Sequence, residues 1–145
     1  MIYCGIDPGM SGGIGWIGEE IGNVNAIPFK DMTDTDIFET LSTALRADDS
    51  FTYIESVHSM PAQGVSSTFK FGVNFGILRG ILAALQAKRD FVTPQKWQKE
   101  LGCLTHGDKN ISKAKAQRLF PKLKITHAIA DALLIAEYCR RIRSK

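Results

Sequence analysis

Three apolar runs in this chain each carry a single carboxylate, and that pattern narrows the folds open to it. Asp7 ends the run Met1-Ile-Tyr-Cys-Gly-Ile-Asp7. Glu55 ends Phe51-Thr-Tyr-Ile-Glu55, and Asp131 lies inside Ala128-Ile-Ala-Asp131-Ala-Leu-Leu-Ile-Ala136. Runs this apolar belong to buried elements, where an unpaired ionised carboxylate is costly. The fold must set each acid at the end of its element or give it a counter-charge. If the three converge, the natural counter-charge is a hard divalent cation with oxygen ligands.

The local patterns predict strands over residues 2–7, 12–17 and 23–27. A tight connection, Asp7-Pro-Gly-Met-Ser-Gly-Gly13, joins the first two, and a turn around Glu19–Gly22 joins the next. Thr33, with Asp36 three residues on, reads as the N-cap of a helix with the apolar stripe Ile37, Leu41, Ala44 and Leu45. A strand at 51–55 follows, then a loop from His58 to Ser67, a long helix at 68–87 and a short strand at 91–93. Pro94 opens a short helix to Leu101. A loop at 102–108, a basic helix at 110–120 and a last helix at 127–141 complete the chain. The order β-β-β-α-β-α-β-α-α-α predicts one α/β domain over 1–145, with a mixed sheet that starts antiparallel and continues by crossover connections.

The net charge of +3 hides an asymmetry. Residues 1–87 hold four Lys/Arg against ten Asp/Glu, and residues 88–145 hold fourteen against five. A basic half is the footprint of a phosphate-backbone partner, although a solvated basic surface has the same composition. Lys109, Lys113, Lys115, Arg118, Lys122 and Lys124 concentrate that charge, with Asn110, Ser112 and Gln117 between them. Phe69 and Lys70 precede the long helix's glycines and offer an aromatic and a cation to bases and phosphates; core burial of Phe69 is the plainer alternative. Cys4, Cys103 and Cys139 are odd in number and widely spaced, which argues for a reduced cytosolic compartment and against zinc. No stretch is apolar for long enough to span a bilayer, and no signal peptide is evident.

Several motifs admit more than one reading. Asp7-Pro-Gly with Ser11-Gly-Gly13 could cradle a nucleotide phosphate, hold a metal through Asp7, or simply turn a hairpin. The chain is short for a two-domain ATPase, so no nucleotide cofactor is expected. His127 lies at i−4 from Asp131, as a hydrogen-bond partner or as a ligand, proton carrier or orienting group. Gly72, Gly76 and Gly80 form a ridge that suits packing on the protein's own sheet, or a helix pair across a dimer.

Together these residues resemble the RuvC family of Holliday-junction resolvases. Gly5-Ile-Asp7-Pro-Gly9 with Gly13-Ile-Gly15 is similar to its first-strand signature. Ile54-Glu55 is similar to its second acidic site, and Ala130-Asp131-Ala-Leu-Leu-Ile-Ala136 to its C-terminal helix. Lys70-Phe-Gly-Val-Asn-Phe-Gly76 and Thr93-Pro-Gln-Lys-Trp97 resemble the short phage-type members. The resemblance implies a ribonuclease H-like, five-stranded mixed sheet flanked by helices. It further implies a Mg²⁺-dependent endonuclease, with Mn²⁺ as substitute, that cuts four-way DNA junctions by paired symmetric hydrolysis. Asp7, Glu55 and Asp131 would hold two metals about 3.5–4 Å apart, with Asp7 between them. Two cuts imply a homodimer, acting in the cytoplasm (the host's, if phage-encoded). Bacterial members of the family typically carry an acid or histidine where this chain has Ala128, a natural variation or an inactivating substitution, and His127 is the nearest substitute. A nuclease acting on other branched DNA or RNA–DNA hybrids, or a non-catalytic junction-binding protein, are the alternatives.

Overall fold

The apolar runs form the centre of the molecule. The computed structural model describes residues 1–20, 22–45, 49–56, 62 and 64–145. In it, β1 (Ile2–Asp7) is the middle strand of a five-stranded sheet ordered β3-β2-β1-β4-β5. β2 (Gly13–Gly18) pairs antiparallel with β1, and β3 (Val24–Pro28) antiparallel with β2. β4 (Ser50–Glu55) and β5 (Arg89–Val92) continue in parallel on the other side. Among the described residues five helices flank the sheet: α1 (Asp34–Ala44), α2 (Val65–Ala84), α3 (Pro94–Leu101), α4 (Lys109–Leu119) and α5 (His127–Arg143). This is the mixed sheet flanked by helices that the sequence predicts.

Alternation along β1 distributes its side chains between two cores. Tyr3 joins Tyr53, Trp97, Leu133, Leu134 and Tyr138 under α3, α4 and α5. Cys4 and Ile6 face the other way, onto Ile37 and Leu41 of α1 and Leu78 and Leu82 of α2. The placement of α5 depends on glycine. A Cβ on Gly5 would overlap the backbone of Ala132 and Ala136, so the helix rests directly on β1 there. That contact puts the first turns of α5, with Asp131, over the carboxyl end of β1.

Helix ends account for most departures from the predicted boundaries. The capping box at Thr33 forms as expected, with Asp36 N–H donating to Thr33 Oγ1 at 3.1 Å and Thr33 N–H to Asp36 Oδ2 at 2.7 Å. α2 begins earlier than predicted: Gly64 is its N-cap, and Val65, Ser66 and Ser67 are helical rather than loop. The rest of the loop assigned to His58–Ser67 falls largely on residues 57–61 and 63, so His58 and Ser59 lie outside the described residues. α2 also stops earlier, at Ala84. Gln86 takes a left-handed φ of 52°, and the Gln86 and Ala87 N–H groups close onto Ala83 and Leu82 carbonyls at 3.0 Å each. That is a Schellman stop made without glycine, which leaves no sequence signal for it. β5 ends at Val92 because Thr93 caps α3, its hydroxyl accepting from Lys96 N–H at 3.3 Å.

The glycine ridge corrects one expectation. Gly72, Gly76 and Gly80 do not pack on the protein's own sheet: a Cβ on any of them meets nothing within 4 Å among the described residues. At about 100° per residue, the buried Leu78 and Leu82 set the inner face of α2 and the glycines fall opposite. Among the described residues no helix is long and apolar enough to cross a membrane.

Candidate active site

Strand register brings two of the three carboxylates together. Ile6 of β1 pairs with Ile54 of β4 in a parallel ladder. Asp7 and Glu55 are therefore neighbours at the carboxyl ends of adjacent strands, about one strand spacing (~4.8 Å) apart along the backbone. Functional groups concentrate at this end of open α/β sheets. Asp131 stands on the second turn of α5, and the charges of all three acids act on one another.

Each acid is fixed differently. Asp7 Oδ1 accepts from Gly9 N–H at 3.1 Å, inside the turn that leaves β1. A Cβ on Gly12 would collide with the Asp7 carboxylate, so the glycine-rich turn wraps tightly around this group. From α2, Asn74 Nδ2 donates to the Pro8 carbonyl at 2.8 Å and pins the same turn. Glu55 is only 8% exposed, which departs from the common pattern of a solvent-facing Glu at a strand end. Its Oε2 accepts from the indole N–H of fully buried Trp97 at 2.8 Å. Asp131 Oδ1 is buried with no hydrogen-bond partner among the described residues. The Ser112 hydroxyl, which donates to the Lys109 carbonyl at 3.2 Å, also steadies this carboxylate.

Burial raises the pKa of all three acids. For Glu55 the result is about 7, with the Asp7 charge adding to desolvation and the Trp97 donor opposing both. Asp7 is pushed up by burial and by Asp131, against the Gly9 N–H. Asp131 is pushed up by burial, against Ser112, Lys109 and His127. Acids raised in this way are carboxylates short of positive charge.

The donor set fits a hard divalent ion. All three candidate ligands are carboxylates, and the buried Asp131 Oδ1 is an acceptor without a donor among the described residues. The Gly9 and Trp97 bonds each engage one oxygen of their acid and leave the other available. Among the described residues, no three His, Cys, Asp or Glu side chains already close into a metal cage. Mg²⁺ does not need one, because it keeps several waters and takes one or two carboxylates.

The other predicted site residues fall into two groups. Lys109, at the start of α4, is the cation of that helix whose charge reaches Asp7, Glu55 and Asp131. Together with Lys70, Phe71, Ser11 and Gly12 it lines a 450 Å³ cavity beside Asp7. Phe69 is 72% exposed rather than part of the core. Lys113 and Lys115 are half-buried and Arg118 is exposed. Helical geometry puts Lys109 and Lys113 on one side of α4 and Lys115 and Arg118 on another, so the four cations do not share one stripe. His127, the first residue of α5, is exposed and makes no hydrogen bond to Asp131 among the described residues; its charge still acts on that acid. Trp97 and Asn74 escape a residue-by-residue reading of the sequence. Both stand inside the family-like motifs, and a lone indole in a polar helix and a lone Asn in an apolar one are the signals available.

No protein-family model matches this chain, and no curated protein sequence does. Solved structures share its architecture, among them two of one protein. Thermus thermophilus RuvC is 17% identical over 98% of this chain and 96% of its own, with a TM-score of 0.68. T. thermophilus RuvC in complex with Holliday junction substrate is 16% identical over 99% and 98%, with a TM-score of 0.69. The chain has the ribonuclease H-like fold of RuvC.

Proposed function

We infer that this chain is a single-domain, Mg²⁺-dependent endonuclease that resolves four-way DNA junctions, similar to short phage-type resolvases and acting in the cytoplasm. The observation that carries this reading is the convergence of Asp7, Glu55 and Asp131 at one end of the sheet. Glu55 is buried, Asp7 and Asp131 are half-buried, and all three are short of positive charge. The fold is that of a protein whose structure holds a Holliday junction substrate. When bound, divalent metal would neutralise charge at the scissile phosphate and supply an activated water. Asp7, Glu55 and Asp131 would hold it, Asp7 as the common ligand and Glu55 and Asp131 as one further ligand each. The Gly9 N–H and the Trp97 indole hold Asp7 and Glu55 in fixed rotamers. Lys70 and Lys109 hold the DNA backbone in the cavity beside Asp7. Exposed His127 is placed to take or give a proton next to Asp131.

Synthetic four-way junctions incubated with Mg²⁺, Mn²⁺ or EDTA test the reading. Paired symmetric nicks in the metals and none in EDTA support it. Shifted complexes with no nicks in either metal would leave a junction-binding module. Cuts on flaps or RNA–DNA hybrids in preference to junctions would assign a different nuclease.

Two symmetric cuts need two sites, and the outer face of α2 suits a second copy. Its glycines lie beside exposed Phe69 and Val73, an apolar surface on a helix with few charges. Gly76→Leu is expected to convert a dimer to monomer in sedimentation while leaving the monomer folded; an unchanged dimer places the interface elsewhere. For DNA, replacing Lys113, Lys115 and Arg118 by Ala should lower the slope of log affinity against log salt by about 2.7, at about 0.9 for each phosphate no longer neutralised. An unchanged slope means that these side chains do not touch the backbone. Trp97→Phe should cost about 1–2 kcal/mol in stability for the missing bond to a carboxylate. It should also move the acid limb of the cleavage profile to higher pH, because the indole donor is what holds the Glu55 pKa down.

A further inference from the structure

A groove separate from the Asp7 cavity lies at the other end of the sheet. There the start of β1, the end of β2 and the start of β3 face the last turns of α4 and α5. Tyr3, Ile17 and Val24 supply the strand side of a 420 Å³ cavity, and Leu119, Phe120 and Arg140 the helix side. A 210 Å³ cavity lined by Val24, Phe120 and Leu123 continues it, so the two form one groove. Tyr3 and Asp7 lie on the same strand, about 13 Å apart at ~3.3 Å per residue. The groove is therefore distinct from the site of the three carboxylates. Its walls are fixed by the fold itself. Gln117 Nε2 donates to the Leu123 carbonyl at 3.0 Å, and Ile125 N–H donates to Gln117 Oε1 at 3.3 Å, which holds the segment after α4 in place.

The polar groups in the groove differ in what they already hold. Glu137 is saturated: Arg140 Nε, Arg140 Nη2 and Arg141 Nε donate to it at 2.8, 2.8 and 2.9 Å. Arg140 Nη1 keeps its donors free among the described residues. The Tyr3 hydroxyl also has no partner there, although Tyr3 is only 3% exposed and lines the cavity. A buried phenol without a partner is costly until something completes it. Both groups can donate to a carbonyl oxygen. Glu19 and Glu20 stand on the lip. The Met1 ammonium, 3.5 Å from Glu19, is shared with Asp49 at 3.2 Å, so the lip keeps an excess of negative charge. Lys122 is the cation on the far rim, with Leu119, Phe120 and Leu123 as apolar surface. An acidic lip repels a phosphate backbone and suits an ammonium or guanidinium.

The neighbouring sheet edge decides how a partner could be held. Gly18 N–H donates to the Asn23 carbonyl at 2.7 Å and Phe29 N–H to the Gly12 carbonyl at 3.0 Å. By antiparallel alternation, Val24, Ala26 and Pro28 present their backbone to the open edge of β3. Asn25 Oδ1 occupies the Ala26 N–H at 2.8 Å, and Pro28 has no N–H. The edge is thus closed to an added strand, and recognition falls to the groove.

We propose that this groove docks a partner protein through a short basic segment in which an apolar residue stands beside an Arg or Lys. The apolar side chain lies over Phe120 and Leu123, the cation reaches Glu19 and Glu20, and the carbonyl between them accepts from Tyr3 and Arg140. The docking goes beyond the nuclease reading and does not rest on it.

Blocked dipeptides, acetyl-Leu-Arg-amide and acetyl-Leu-Glu-amide, titrated into the ¹⁵N-labelled full chain test it by amide shifts. The Leu-Arg probe should move Gly18, Gly22, Val24 and Leu123 along saturating curves. The Leu-Glu probe should bind about fivefold more weakly, the upper scale of an exposed ion pair. Glu20→Lys changes an exposed side chain and should remove that preference. Tyr3→Phe keeps the packed ring and should weaken both probes about threefold, the scale of one neutral hydrogen bond. It should not lower the melting temperature of the free protein, because the hydroxyl it removes is unpartnered. Shifts that are absent or confined to other residues overturn the docking site, as does equal affinity for the two probes or an unchanged preference in Glu20→Lys. A lower melting temperature for Tyr3→Phe would mean that the phenol is already satisfied within the fold, and overturns the assignment of Tyr3 as a donor to the partner. A single-stranded oligonucleotide that moves the same amides at lower concentration than Leu-Arg would give the groove to nucleic acid instead. Shifts that grow with protein concentration without any probe would give it to a second copy. No DNA is cut in these titrations, so failure of the nuclease reading leaves their outcome intact.

Discussion

Asp7→Asn, Glu55→Gln and Asp131→Asn should each lower junction cleavage by at least about a thousandfold while changing junction affinity only a fewfold. Each would remove one ligand from the proposed site, where charge stabilisation at the phosphate would be the main source of rate. In the proposed reading binding is carried by Lys and Arg side chains, which these substitutions leave in place, so it should survive. A variant that cuts at the normal rate would remove that residue from the mechanism. The same substitutions carry a stability signature that a purely structural acid would not show. Glu55 has an ordinary pKa near 4.5 and a folded value of about 7. The native state therefore binds its proton more tightly than the unfolded chain. The Glu55 contribution to stability in EDTA is fully present below about pH 4.5, is lost as pH rises through about 7, and is absent above that. One pKa unit corresponds to 1.36 kcal/mol, so Glu55→Gln at pH 8 should stabilise the metal-free protein by about 1–3 kcal/mol. Mg²⁺ should close that gap by raising the melting temperature of the wild type alone. If Glu55→Gln melts lower than the wild type in EDTA at pH 8, Glu55 is not short of positive charge in the folded state.

Much of the fold can be read in the sequence because its central elements are locally consistent. β1 is an unbroken apolar run, α1 has a complete capping box, and α3 has Pro94 at its start and Gly102 in a left-handed C-cap. The carboxylates stand out for the same reason, each being the one charge in its run. What escapes the sequence is long-range or depends on which side of an element faces outward. The Trp97–Glu55 bond joins residues 42 apart, and no local pattern connects an indole in a polar helix to an acid on a strand. The burial of Glu55 follows from α3 closing over the strand end, not from the Glu55 neighbourhood. The α2 glycines have the spacing of a close approach between helices, but spacing does not say whether the partner is the same chain. Gln86 terminates α2 in a conformation that sequence rules reserve for glycine or asparagine.

Gly5→Ala should be among the most destabilising single-atom additions available in this chain. β1 and α5 meet backbone to backbone at Gly5, where an added methyl overlaps the Ala132 carbonyl and the Ala136 N–H. A flexible side chain could move aside; a helix backbone cannot, and Gly15 on β2 faces Ala132 and Leu133 in the same way. Relief requires lifting α5 from the sheet. That opens the packing of Leu133, Leu134, Ile135 and Tyr138, all at most 2% exposed. Overpacking typically costs about 1–3 kcal/mol, and a backbone obstacle puts Gly5→Ala at the upper end or beyond. For a chain of this length that is a fall in melting temperature of roughly 10 °C. Because Asp131 rides on the same helix, the shift also draws one carboxylate away from the other two. The surviving folded fraction should therefore need more Mg²⁺ for half-maximal cleavage than the wild type, measured well below its melting temperature. A variant that melts like the wild type and keeps its metal requirement would mean that α5 is not seated on β1 at Gly5. The placement of Asp131 beside Asp7 would then lose its structural basis.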